Sequence, residues 1–202
     1  MRVDPSKLTS HGVALEPLTD AHAPELAIAA GTIETFRYFT KIPTPFDADG
    51  FASYGRFLIE HPTTVPFAVR DTSSGELVGM TSYCDIRDGA RGVEIGWTWY
   101  ALSARGTSIN PACKYLLLRH AFEEGPFDSA DGSAANAIRV QIKTDERNAQ
   151  SRAAIEKLGA RFEGILRNQV IMPDGHFRQT AMYSITEAEW ATAKARLELR
   201  LA

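Results

Sequence analysis

A short segment of small and polar residues, Arg105 to Asn110, stands directly before a helical pattern and has the composition of an anion-binding loop. Small residues allow backbone N–H groups to turn inward around phosphate oxygens, and the helix N-terminus adds a partial positive charge. Lys114, one turn into the helix, adds a full positive charge. The segment predicts a diphosphate site, although a plain strand-to-helix connection explains these residues equally well.

A carboxylate on the preceding strand is a second candidate for chemistry. Alternation along Gly92 to Tyr100 predicts an apolar strand face with Val93, Ile95, Trp97 and Trp99. Glu94 falls on the opposite face, among small or polar neighbours. It is therefore a candidate proton acceptor, and a solvent-facing glutamate is the alternative.

Asn148 and Ser151 stand at the predicted start of a later helix. An asparagine there commonly caps the helix, and a serine three residues later can bond within the same turn. The five histidines show no metal-ligand spacing, and no Gly-x-Ser-x-Gly segment is present. Metal chemistry and serine-hydrolase chemistry are therefore not expected.

Hydrophobic periodicity predicts the elements that must position these residues. Period-two patterns predict strands at about 12–18, 65–70, 77–86, 92–100, 137–143, 161–172 and 176–185. Helices are predicted at about 20–30, from 47, and at 109–124, 148–158 and 186–200, with a surface loop at 125–136. A helix between the fourth and fifth strands makes these two strands parallel. The fold class is mixed α/β, with about seven mostly antiparallel strands flanked by helices.

Length and composition favour one soluble domain over residues 1–202, with its core from about 12 to 190. The net charge of -3 gives no general attraction to nucleic acid. No apolar run approaches the ~20 residues that cross a bilayer, and the first residues lack an export signal. The two cysteines are far apart, which is typical of the reducing cytosol, so a cytoplasmic protein is expected.

Several segments together resemble the GNAT superfamily of N-acetyltransferases. Gly92 to Trp97 and Arg105 to Asn110 are similar to the fourth strand and phosphate loop of that superfamily, and 146–160 is similar to its second cofactor-contacting helix. The run Lys114 to Phe122 and the later Asp174-Gly175 hairpin are similar to the RimJ/RimL-type branch. The resemblance extends from about Gly12 to Trp190.

The resemblance implies that acetyl-CoA is the cosubstrate and lies between the splayed fourth and fifth strands, with no metal. The residues implied to contact it are Arg105, Gly106, Thr107, Ser108, Ile109, Asn110, Lys114, Asn148 and Ser151. Ser108 and Asn110 depart from the small residues of the family pattern. Many family members also have a tyrosine on the second helix that protonates the leaving thiolate. Ile155 stands at that position, so Ser151 or water is expected to act instead.

The resemblance implies a primary amine as acceptor, either a protein N-terminus, such as those of ribosomal proteins, or a small molecule. An α-amino group has a pKa of about 8 and a lysine about 10.4, so the amine must lose a proton before attack. Glu94 is predicted to accept it, directly or through water. Tyr83 and Asp85, on the neighbouring strand, are predicted to orient the amine.

Other interpretations stay open. Ile155 and the altered loop favour a CoA-binding regulator without activity, and the acceptor could be an antibiotic or a polyamine. The charged face of the last helix is most simply solvated, with a homodimer contact as the alternative. No nucleic-acid or membrane partner is expected.

Overall fold

The computed structural model describes residues 1–202, in which eight strands form one sheet with helices on both faces. The ten strands of the chain are β1 (Thr9–Ser10), β2 (Val13–Pro17), β3 (Val65–Asp71), β4 (Leu77–Arg87), β5 (Gly92–Tyr100), β6 (Phe127–Asp128), β7 (Ala134–Ala135), β8 (Arg139–Asp145), β9 (Arg161–Ile171) and β10 (Phe177–Thr186). The sheet order is β1-β2-β3-β4-β5-β8-β10-β9, and β6 pairs with β7 apart from it. The predicted mixed fold class is confirmed.

The predicted number of strands is too low. The three strands that were not predicted, β1, β6 and β7, have two residues each. Such short pairings carry no period-two signal, and β6 and β7 fall inside the predicted loop at 125–136.

Five α-helices cover the two faces of the sheet: α1 (Ala23–Ala30), α2 (Ala48–Ile59), α3 (Ile109–Glu123), α4 (Ala149–Lys157) and α5 (Glu187–Leu201). The larger apolar core lies between the sheet and α3 and α5, and the smaller core lies under α1 and α2. Asp47 caps α2 by accepting a 3.0 Å hydrogen bond from the Gly50 N–H, as its position predicts. No helix has the length and apolar character needed to cross a membrane.

The central strands β5 and β8 run parallel but stay paired over only three residues each. Gly92, Val93 and Glu94 pair with Arg139, Val140 and Gln141. Beyond Glu94 the two strands separate, so their facing backbone groups are not used within the sheet. The helix α3 crosses between these strands, which explains their parallel direction. The predicted splayed pair is present.

A β-bulge in β5 changes which residues share a face. Met80 pairs with Trp99 and Ser82 with Gly96, so β5 has one residue more than β4 over this interval. Trp97 takes a positive φ of 51° at the bulge. The prediction that Trp97 and Trp99 share a face with Val93 and Ile95 is therefore wrong. Both indoles lie on the α1 and α2 side with Glu94, whereas Thr98 turns toward α3.

Candidate active site

The loop before α3 presents backbone N–H groups that have no partner in the chain. Gly106, with a φ of +77°, begins the turn. The N–H groups of Gly106, Thr107, Ser108 and Asn110 make no hydrogen bond within the protein. The Thr107 hydroxyl stabilises the turn by donating to the Ala104 carbonyl at 2.7 Å and accepting from the Ile109 N–H at 3.3 Å. These features fit a bound diphosphate.

The loop residues differ in what each can offer to an anion. Ser108 and Asn110 contribute free N–H groups at the helix N-terminus. Ile109 buries its side chain in the core, and its N–H is already bonded to Thr107. Arg105 is exposed, and its guanidinium donates to the Tyr100 carbonyl and to the Thr35 hydroxyl, both at 3.1 Å. Arg105 therefore links the loop to the end of β5 and to Thr35, and its side chain stays exposed to solvent.

Lys114 lies under the sheet and does not extend along the loop. Its side chain is 5% exposed, and Nζ donates to the Thr98 hydroxyl at 2.8 Å and to the Thr81 hydroxyl at 3.4 Å. The expectation that Lys114 reaches the diphosphate is thus not met, because the helix turns this residue toward β5. Burial lowers the pKa of Lys114 from 10.5 to about 8.

We expect this buried lysine to make stability depend on pH. Below pH 8 Lys114 is protonated in both the folded and the unfolded chain, and the buried charge destabilises the folded state. Between pH 8 and 10.5 the unfolded chain binds more protons, so the unfolding free energy rises with pH. At ~1.4 kcal/mol per pKa unit the rise is about 3 kcal/mol, and K114M will lack it.

Urea unfolding at intervals between pH 7 and 10.5 measures this effect as the difference between the wild type and K114M. The exposed Lys157 provides the control variant, K157M. A wild-type minus K114M difference that stays constant over this range would show that Lys114 is not the titrating group.

Glu94 is buried where β5 and β8 begin to separate. Its side chain is 3% exposed, and Oε2 accepts hydrogen bonds from Lys143 Nζ at 2.9 Å and Gln141 Nε2 at 3.2 Å. A Cβ at Gly96 would lie 2.8 Å from Oε1 of Glu94, so the missing side chain leaves room in front of this oxygen. Lys143 and Gln141 hold one carboxylate oxygen in place, and the other faces Gly96 beside the Cys84 thiol.

Gln141 and Cys84 are neighbours of Glu94 that affect its hydrogen bonding and its chemistry. Gln141 Nε2 also donates to Oδ2 of Asp85 at 2.9 Å, which connects Asp85 to Glu94 through one amide. Burial, followed by the charge of Glu94, raises the pKa of the Cys84 thiol. Cys84 is therefore a neutral thiol beside the carboxylate and does not provide a thiolate nucleophile.

Tyr83 has a structural place in the core, which corrects the expectation that it orients the acceptor amine. Its side chain is fully buried on the α3 side of β4, and its hydroxyl donates to the Leu117 carbonyl and lies 3.1 Å from His120 Nδ1. Alternation sends Tyr83 to the face opposite Glu94. Asp85 does not follow this alternation. The register between β4 and β5 shifts between Cys84 and Arg87, and Asp85 takes a positive φ of 46° there.

The start of α4 lies on the other side of the gap between the strands. Asn148 caps the helix, since its Oδ1 accepts a 3.0 Å hydrogen bond from the Ser151 N–H. The Ser151 hydroxyl makes no hydrogen bond within the chain, and the partly buried Ser151 lines the cleft. Ile155, one turn further on, is buried and lines the same cleft.

A single cleft of ≈1020 Å³ joins these parts. Glu94, Asp85, Arg105, Asn148 and Ser151 all line it. The aromatic residues Tyr38 and Phe39 also line the cleft, and the structure adds side chains that were not predicted as site residues, namely Arg37, Phe57, Trp97, Lys143 and Arg178. The period of two along β8 could have indicated Lys143, which lies two residues after Gln141, whereas Arg178 comes from a distant hairpin that no local pattern brings here.

The sequence profile of the acetyltransferase (GNAT) domain matches residues 13–161. This chain belongs to the GNAT acetyltransferase family. A protein from T. thermophilus, assigned as an acetyltransferase, is 34% identical with a TM-score of 0.86, over 100% of both chains. No curated protein matches this sequence.

More distant GNAT structures share the fold. RimJ of Mycobacterium smegmatis, solved in complex with CoA-disulfide, is 24% identical with a TM-score of 0.75, over 93% of this chain and 88% of that chain. RimL, a ribosomal L7/L12 α-N-protein acetyltransferase, is 17% identical with a TM-score of 0.71, over 88% of this chain and 91% of that chain. The chain is thus a GNAT enzyme, an acetyl-CoA-dependent N-acetyltransferase.

Proposed function

We propose that this GNAT enzyme transfers the acetyl group of acetyl-CoA to a primary amine, on a protein N-terminus or a small molecule, by direct attack on the thioester. One observation supports the proposal: the Glu94 oxygen that Lys143 and Gln141 do not bind faces the bare Gly96 at the point where β5 and β8 separate. This oxygen would act as the base beside the gap that would admit the thioester.

The cosubstrate would be held by backbone groups more than by side chains. The free N–H groups of Gly106, Thr107, Ser108 and Asn110 would bind the diphosphate. The separated edges of β5 and β8 would hydrogen-bond the amides of the pantetheine arm, since their facing N–H and C=O groups are not used in the sheet. Asn148 and Ser151 would border the arm at the start of α4.

The acceptor amine would approach from the side of α1 and α2, where the aromatic residues line the cleft. Glu94 would take the amine proton, directly or through water, while Lys143 and Gln141 hold its other oxygen. Asp85 would orient the amine through the Gln141 amide that it shares with Glu94. A backbone N–H of the separated part of β5 would polarise the thioester carbonyl.

The departing thiolate needs a proton donor on the α4 side. Ile155 cannot donate, and the Ser151 hydroxyl has no partner in the chain that would compete for its proton. We assign the donor role to Ser151, or to a water that it holds. No covalent acyl-enzyme is required, because the nearest thiol, Cys84, is neutral.

Incubation of the protein with acetyl-CoA and a pool of peptides and small amines tests this function. We expect release of the CoA thiol together with a mass increase of one acetyl group on an amine. Calorimetry with CoA measures binding separately from turnover. CoA binding without thiol release for any amine would favour the inactive regulator, and loss of both would contradict the proposal as a whole.

A further inference from the structure

Arg178 carries a buried positive charge that no group of the protein neutralises at hydrogen-bond distance. It stands near the start of β10, is 8% exposed, and lines the cleft. Its Nε is fully buried without a partner, and neither terminal nitrogen forms a hydrogen bond or an ion pair within the chain. The two terminal nitrogens keep some exposure, whereas Nε has neither water nor a partner, and an unpaired guanidinium that is largely buried is costly.

The acidic residues nearest to Arg178 are already paired with other cations. Asp145 accepts from Arg147 with both oxygens, at 2.9 and 2.7 Å. Glu94 is paired with Lys143 at 2.9 Å. Asp145 and Glu94 both favour the charged form of Arg178, yet burial has the larger effect and lowers the pKa of Arg178. Arg178 therefore keeps a positive charge that no carboxylate of the chain pairs with, in the cleft that Glu94 also lines.

Arg178 lines the cleft on the β10 side of the sheet. It comes from the β9-β10 hairpin, beyond β8, whereas the loop for the diphosphate follows β5 on the other side of the split. Further along β10, Thr180 pairs with Asp145, which is the last residue of β8. Gln169 and Val170 of the paired strand β9 line the same cleft.

We propose that Arg178 binds a carboxylate of the acceptor, so that the preferred substrate of this enzyme is an amine that also carries a carboxylate group. This inference rests on the proposed function, because it places the amine at Glu94 and the anion at Arg178. A guanidinium binds a carboxylate through two parallel hydrogen bonds, and the two terminal nitrogens of Arg178 are free to make them. A neutral peptide N-terminus or a polyamine would leave the arginine unpaired.

Matched acceptors test the proposal, each pair having the same amine with or without the negative charge. The panel contains tetrapeptides that begin with Asp or Asn, and tetrapeptides that begin with Glu or Gln. We expect the wild type to prefer the carboxylate member by about tenfold or more in kcat/KM, mainly through KM, since a charge-assisted hydrogen bond is lost in the amide. R178Q will reduce this preference to within about twofold, and R178K will keep part of it.

Two controls separate this role from a structural one. Arg167 is exposed on the neighbouring strand β9, and R167Q is expected to keep the wild-type preference. R178Q should remain folded and bind CoA, because it removes an unpaired charge and breaks no hydrogen bond of the chain. Thermal unfolding and calorimetry with CoA check both points.

An equal rate for both members of each pair in the wild type, or a carboxylate preference that persists in R178Q, would overturn the proposal. If the enzyme acetylates no amine of the panel, calorimetry tests the anion site directly. It compares the binding of N-acetyl-L-amino acids and of their amides to the CoA-loaded protein. Tighter binding of the acid by the wild type and not by R178Q then supports the anion site, while the missing transfer counts against the proposed function. Equal binding of acid and amide overturns the anion site.

Discussion

Replacement of Glu94 with glutamine will lower kcat by about 10²–10⁴-fold, the usual contribution of a positioned base. CoA affinity will stay nearly unchanged, because Glu94 lies at the splitting point of the strands and away from the loop before α3. The amide has almost the same shape and keeps an oxygen for Lys143 and Gln141. Steady-state kinetics with acetyl-CoA, together with calorimetry, measure the two effects.

A second variant distinguishes a base from a structural partner of Lys143. K143M breaks the same ion pair but keeps the carboxylate. K143M removes a hydrogen-bond donor to Glu94 but leaves a carboxylate that can still accept the amine proton, so K143M is expected to keep more activity than E94Q, which has no basic oxygen. Wild-type turnover in E94Q would remove Glu94 from the mechanism.

A glutamate in place of Ser108 will weaken CoA binding by about 100–1000-fold, because a carboxylate would face the diphosphate among the free N–H groups at a separation of a few ångströms. The same charge lies at the N-terminus of α3, where a negative side chain stabilises a helix. Loss of affinity in S108E will therefore not be accompanied by a loss of fold. Calorimetry with CoA and thermal unfolding measure these quantities.

Ser103 provides the matched control for this substitution. It is an exposed serine five residues earlier, in the short turn after β5, and it does not line the cleft. S103E introduces the same charge nearby and should change CoA affinity less than about threefold, since exposed charges further away are screened by salt. Equal losses in S103E and S108E would show that the effect is a general repulsion and that the loop does not hold the phosphates.

The fold was predictable because most of its elements carry a local signal. Alternation identified β3, β4 and β5, and Asp47 and Thr186 begin helices at the expected residues. The parallel pairing of β5 with β8 followed from the helix between them. The bulge at Trp97 was not predictable, because an extra residue in one strand depends on the partner strand and leaves the alternation of residue types intact.

The candidate site was only partly predictable for the same reason. Gly106 and Ser108, which would act through their backbone N–H groups, could be proposed from the sequence because composition and position define a loop. The roles of side chains were harder to predict, since the position of a residue in the sequence does not determine where its side chain points in the fold. Tyr83 points into the core and Lys114 toward Thr98. Arg178 reaches the cleft only through the order of the strands in the sheet.

The bulge in β5 also affects how intrinsic tryptophan fluorescence can report on ligand binding. It turns the indoles of Trp97 and Trp99 toward the cleft, while Trp190 is stacked on Phe122 behind the sheet. Two of the three fluorophores therefore stand where an occupant would quench or shift them, and the third is shielded as an internal reference. Fluorescence titrations can therefore follow ligand binding in the cleft without a label. The W97F variant would separate the signal of Trp97 from that of Trp99.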